Sequence, residues 1–240
     1  MNKYILIVWK SIDRPMKKYF KDIITIVWKD ILSEFRTKEM FSSMFLLAVL
    51  ILIIFTFSID LIKVKSIDVA PGILWVAFIF AGTIGLNRSF LNEKENDCLL
   101  GIMATPIDRS AIYLGKMIGN FIFMTIMEIF IFPVFVIFFN LSFLSIKEIY
   151  LIAFMGTLGF AALGTLLSAM SASFKTREIM LPILLYPLIV PVIIAAVKAT
   201  GALLHGKSLE SVMMWLKLLL AFDIIFLIVS FIVFEYVIEE

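Results

Sequence analysis

The residues of this chain that could do chemistry are few, and most lie between positions 87 and 116. That stretch reads N-R-S-F-L-N-E-K-E-N-D-C-L-L-G-I-M-A-T-P-I-D-R-S-A-I-Y-L-G-K. Three acids, Glu93, Glu95 and Asp97, precede an apolar patch, a Thr-Pro stop, and then Asp108-Arg109 opening the next segment. Charged and apolar groups side by side in a short segment suit docking into a groove on another protein. A solvated re-entrant turn is the plainer reading. Two further acids, Glu128 and Asp223, fall inside long apolar runs. Ionisable groups there are costly and should face the interior of a bundle or a partner. They read either as a polar lining or partner contact, or as buried protonated carboxyls bonded to a neighbouring helix. Two isolated acids without Lys or Arg at the same depth do not make a proton relay.

Other candidates fail on context. Residues 201–208, G-A-L-L-H-G-K-S, match the phosphate-loop pattern letter for letter. That chemistry needs a strand before the loop and a helix after it, with backbone amides aimed at phosphate. An apolar run precedes this match, no acidic strand for magnesium is available, and the segment reads as a glycine-rich external turn. His205 is the only histidine and sits in the same turn. A haem or metal ligand is one reading, and a lone histidine of no special role in a polar turn is the plainer one. The single cysteine, Cys98, excludes an internal disulfide and any multi-cysteine metal site. No catalytic set, resident cofactor, metal site or nucleic-acid surface is expected, so the chain is not read as an enzyme.

The elements that must position these residues follow from composition. Of 240 residues 62% are hydrophobic and 17% charged, with a mean hydropathy of +1.07. Soluble domains hold about a quarter charged residues, so the solvent expected here is lipid. Apolar runs at 41–59, 71–87, 111–139, 149–170, 179–197 and 212–237 predict six transmembrane helices, the second of them short. Residues 1–40 form a separate segment, too charged for the apolar core of a signal peptide. In it Phe20, Ile23, Ile24, Val27, Ile31 and Phe35 recur at helical spacing beside Lys17, Lys18, Lys21 and Trp28. That pattern predicts an amphipathic helix lying in the membrane interface or packed on protein, and the two can coexist. One membrane domain then covers 41–240, with a connecting loop at about 88–110.

Lysine and arginine set the orientation. Nine lie in residues 1–40, four in the loop after the second span counting Lys116, and two in the loop after the fourth, against six on the other face. Both termini are therefore expected in the cytoplasm. Gly115 and Gly119, Ala77, Ala81 and Gly85, and Gly164, Ser168 and Ala172 repeat at four-residue spacing, which suits close helix packing. Pro182, Pro187 and Pro191 predict a kinked or divided fifth span.

The acids after the second span, the T-P-x-x-R turn of 105–109 and the following Gly115-Lys116 resemble the ABC-2-type exporter permeases. More narrowly, Trp75-Val-Ala-Phe-Ile-Phe-Ala81, Gly85-Leu-Asn-Arg-Ser-Phe90, Glu93-Lys-Glu95 and Ala111-Ile-Tyr-Leu-Gly-Lys116 resemble the haem exporter protein B family, CcmB. The resemblance implies an all-α integral membrane fold of six transmembrane helices preceded by an interfacial helix. It implies a non-catalytic permease subunit of the bacterial inner membrane, serving c-type cytochrome maturation. It also implies an ABC ATPase partner, CcmA, which binds the ATP, with CcmC and CcmD beside it. Haem is then the cargo candidate, or the cargo of the chaperone CcmE that the complex releases. Work from the ATPase would enter through Glu93, Glu95, Asp97 and Arg109, with residues 17–40 bracing the contact and 173–178 as a second, smaller contact. The competing readings are an ABC-2 permease for a drug, lipid or polysaccharide, an ATP-independent carrier or channel, and a passive assembly scaffold.

Overall fold

Long apolar runs broken by short polar ones leave the backbone one economical solution in lipid, which is to bond within each segment as helix. The structure, a computed structural model, describes residues 2–59, 65–95, 107–141, 146–172, 174 and 176–237. Among these it is helical nearly throughout and contains no strand. The elements are α1 (Asn2–Thr37), α2 (Glu39–Ser58), α3 (Ser66–Glu95), α4 (Arg109–Phe139), α5 (Ile146–Ala172), α6 (Arg177–Leu204) and α7 (Met213–Val237). A single 3₁₀ turn, Leu209–Val212, leads into α7. Helices α2 to α7 each carry a stretch long and apolar enough to cross a membrane.

Two expectations change. The second span is not short: its apolar part covers Ser66–Ser89, and the helix continues to Glu95. Leu91, Glu93, Lys94 and Glu95 are strong helix formers, so helix outlasts hydrophobicity by more than a turn. Of the two alternatives for the fifth span, a kink or a division, division is ruled out. α6 runs unbroken through Pro182, Pro187 and Pro191. Each proline removes one amide donor, yet unwinding in lipid would orphan several backbone groups at once, so the helical path is retained.

Enclosure places α3 and α5 at the centre, their apolar stretches being the most buried of the six. α3 touches α2, α4, α5 and α6, and α5 touches α3, α4, α6 and α7. Trp75 of α3 pins this centre. Its Nε1–H donates to Thr200 Oγ1 of α6 at 3.1 Å, while its ring lies on the bare backbone of Gly156 in α5. Tyr113 donates to the Ala162 carbonyl at 3.0 Å and Asn120 to Thr165 Oγ1 at 3.0 Å, tying α4 to α5. Ser168 donates to the Leu86 carbonyl at 2.7 Å, tying α5 to α3.

Candidate functional site

From α2 onward successive helices alternate in direction, so the start of α2, the end of α3 and the start of α4 meet at one end of the bundle, and α1 packs there. The site is built there, from α1 upward. Three faces of α1 can be told apart. Phe20, Ile24, Trp28 and Phe35 are exposed, each more than 60%. Lys18, Lys21, Lys29 and Arg36 lie on a polar side. Tyr19, Ile23, Ile26 and Asp30, at three- and four-residue steps, face protein.

That third face docks along α4. Tyr19 Oη donates to Ser110 Oγ at 3.1 Å. A Cβ built on Gly115 would lie 2.8 Å from Ile26 Cβ, and one on Gly119 would lie 3.6 Å from Asp30 Oδ2. The contacts advance together along both chains, so α1 runs beside the first turns of α4 in the same direction. The Gly115/Gly119 stripe is therefore the bed of the amphipathic helix, and only glycine at 115 admits so close an approach.

At the deep edge of this bed lies a buried ion pair. Lys116 is 1% exposed, and its Nζ lies 3.0 and 3.2 Å from the two oxygens of Asp30. The same ammonium donates to the Ser89 carbonyl at 3.3 Å, where the apolar part of α3 ends. One charge thus joins α1, α3 and α4. Lys116 was expected among the loop cations, but it stands two turns inside α4, and the orientation count loses one member.

A second set of polar contacts turns the corner from α1 to α2. Lys38 adopts a left-handed conformation, φ 55°, uncommon outside glycine. Glu34 Oε1 accepts the Phe41 amide at 2.7 Å, so a carboxylate from the preceding helix serves the exposed amides of α2. Burial pushes the Glu34 carboxyl up, against the opposing pull of the Phe41 and Met40 amides and of Arg88. Arg88 of α3 in turn pairs with Glu39 at 3.0 Å.

The residues expected to meet a partner fall at this same end. Glu93 and Glu95 occupy the last turn of α3, beyond its apolar part, with side chains outside those described. Arg109 is the first residue of α4. Asp97 lies outside the described residues, as do 173 and 175 of the smaller loop. Sequence reasoning missed the pair that joins them to the bundle. Its signal was present: Asp30 falls four residues after Ile26, and Lys116 is a lone charge within the Gly115/Gly119 stripe.

The two acids within the spans stand on opposite sides of α5. Glu128 of α4 accepts a hydrogen bond from Thr157 Oγ1. Asp223 of α7 packs on Gly159, and neither of its oxygens has a partner among the described residues. Thr157 and Gly159 are about 200° apart around the helix, so the acids do not form one site. Beside Glu128 and Trp75 is a cavity of about 20 Å³, room for roughly one water.

At the other end of the bundle, the phosphate-loop match is the exit from α6. The amides of His205, Gly206 and Lys207 bond back to Gly201, Leu203 and Ala202, and Gly206 has φ 76°. This is a Schellman cap that needs glycine at that position; the amides a phosphate would require are consumed. His205 Nδ1 lies 2.7 Å from the Gly201 carbonyl and Nε2 2.8 Å from Asp68 Oδ1. Both neighbours are acceptors, and the Gly201 carbonyl first, then Asp68, raise the imidazole pKa. Among the described residues no group of three or more His, Cys, Asp or Glu could hold a metal.

Comparison with known proteins agrees with this architecture. The family model for CcmB protein matches residues 21–239. Heme exporter protein B of Pseudomonas aeruginosa is 26% identical over 152 residues, 63% of this chain and 68% of that protein. The Rhodobacter capsulatus and Bradyrhizobium diazoefficiens proteins of the same name are 25% and 24% identical, over 59% and 68% of this chain and 65% and 72% of their own lengths. A family match across nearly the whole chain, with six apolar helices long enough to span, leads to one statement: the chain is a multi-pass membrane protein and belongs to the CcmB protein family.

Proposed function

We propose that this chain is the permease subunit of an ABC complex in c-type cytochrome maturation, receiving work from a separate ATPase at the end of the bundle that carries α1. Both termini then face the cytoplasm of a bacterial inner membrane. The observation that carries the reading is the Lys116–Asp30–Ser89 junction. A push on Glu93, Glu95 or Arg109 falls on helices that are continuous with their spans and joined by one buried charge. Such a joint moves as a unit, because a buried pair tolerates little separation. Coupling then requires only that the ATPase bind one arrangement of α1, α3 and α4 more tightly than another.

The named relatives are heme exporters, and haem is the cargo class to which the reading points. Work delivered here would serve release of a haem-loaded chaperone of the CcmE type, with CcmA as ATPase and CcmC and CcmD as membrane partners. The chain's own residues then bind and position the ATPase and do no chemistry on haem.

The test is charge reversal, Glu93→Lys with Glu95→Lys, in cells carrying the whole system. Loss of ATPase copurification and of mature cytochrome c, with membrane insertion intact, is the expected result. If both copurification and maturation persist, work does not enter through this segment.

A further inference from the structure

The corner between α1 and α2 leaves a groove that the coupling reading does not use. Its volume is about 310 Å³, twice the roughly 150 Å³ of an apolar cavity that takes up benzene. Phe35, Phe41, Phe123, Ile126 and Phe130 wall it. Phe35, Ile126 and Phe130 are themselves 73%, 36% and 56% exposed, so the groove opens outward from the bundle. Lys38 and Ser42 supply its polar edge together with Glu34.

The charges at that edge are not equivalent. Glu34 is held by the amide of Phe41. The ammonium of Lys38 has no ion-pair partner among the described residues, and the left-handed turn at Lys38 fixes where its side chain departs. An apolar slot between α1 and two membrane-spanning helices, ending at a cation and a hydroxyl, has the polarity of one lipid molecule. The groove has room for a stretch of acyl chain, and its open side leaves the rest of the molecule in the bilayer.

We propose that this groove holds one glycerophospholipid of the leaflet facing α1, an acyl chain along Phe41, Phe123 and Phe130 and its phosphate at Lys38. The lipid splints the α1–α2 corner to α4. It is held by site, not by the general apolarity of the surface, and this does not depend on which partner drives the complex.

The test uses the full chain in vesicles containing a phospholipid with a photoreactive acyl chain, with crosslinked peptides mapped by mass spectrometry. Native mass spectrometry of the detergent-purified protein counts retained lipid. Wild type should retain phospholipid, with crosslinks concentrated in the peptide around 121–131. Ile126→Trp and, independently, Phe130→Trp fill the groove at outward-facing positions and should lower that crosslink at least fivefold. Lys38→Glu should lower retention by a similar factor. Ile225→Trp, 52% exposed on α7, should change neither. Thermal unfolding shows which groove variant is folded and is to be compared. Even crosslinking over α2, α6 and α7, indifference to all three variants, equal capture of a photoreactive fatty acid lacking phosphate, or crosslinks in whole membranes that join the groove to another polypeptide would each overturn the proposal.

Discussion

Removing Asp30 from the buried pair is the perturbation whose size follows most directly from the structure. Asp30→Ala takes away both oxygens within 3.2 Å of the Lys116 ammonium, whose side chain is 2% exposed. Breaking a buried pair by deleting one partner costs about 3–5 kcal/mol, and Lys116 would keep the Ser89 carbonyl, which favours the lower part of that range. Asp30 retains 15% side-chain exposure and also meets Lys29, so water and a second cation already share its charge. The lower end, about 3 kcal/mol, is expected. At tenfold for each 1.4 kcal/mol, that is roughly a hundredfold fall in the docked-to-undocked ratio of α1. The assay is a double-mutant cycle of thermal or denaturant unfolding in mild detergent with Asp30→Ala, Lys116→Met and both. Each single change should be strongly destabilising, and the double change should recover most of the loss, since apolar replacement of a buried pair is often near neutral. Additive losses, or an Asp30→Ala effect below about 0.5 kcal/mol, would refute the claim that this charge joins α1 to the bundle.

Three further outcomes are expected. Gly115→Ala should cost about 1–3 kcal/mol by forcing Ile26 off α4, whereas Gly72→Ala, with nothing within 4 Å of its new Cβ, should be neutral or stabilising; protease sensitivity of α1 separates the two. Trp75→Phe should cost about 1–2 kcal/mol by stranding the Thr200 hydroxyl, and adding Thr200→Val should recover much of it in the same unfolding assay. The His205–Asp68 contact should depend on pH: the raised imidazole pKa makes its contribution complete below about pH 6.5, and lost as pH rises through the folded value. A melting temperature that falls between pH 6 and pH 8.5, with the fall diminished in His205→Gln, checks the sign.

Much of the architecture was legible because lipid leaves the backbone few choices. The six spans follow from apolar runs alone, and division of the fifth could have been set aside by weighing its prolines against the cost of unwinding in hydrocarbon. The extent of α3 was not legible from hydropathy, since Leu91 to Glu95 keep the helix on propensity after the apolar run has ended. The site was half visible. The acids of the loop and the Gly115/Gly119 stripe stood out by type and spacing. Lys116 did not, because a cation near a span end is read as solvated, and only its partner Asp30 on another helix makes it structural. A long-range pair of that kind leaves a trace in spacing, Ile23, Ile26 and Asp30 on one face, but no trace of what that face meets.

The most direct measurement of the central claim places one cysteine at the proposed contact, which is simple because the chain has a single native cysteine to remove. In a Cys98→Ser background with the ATPase coexpressed, Arg109→Cys is treated with an impermeant maleimide from either side and with a bifunctional crosslinker, with and without nucleotide. The account predicts labelling from the cytoplasm alone and a crosslink to the ATPase whose yield changes with nucleotide. Labelling from the periplasm, or a cytoplasmic residue that never crosslinks to the ATPase in an active complex, would contradict it.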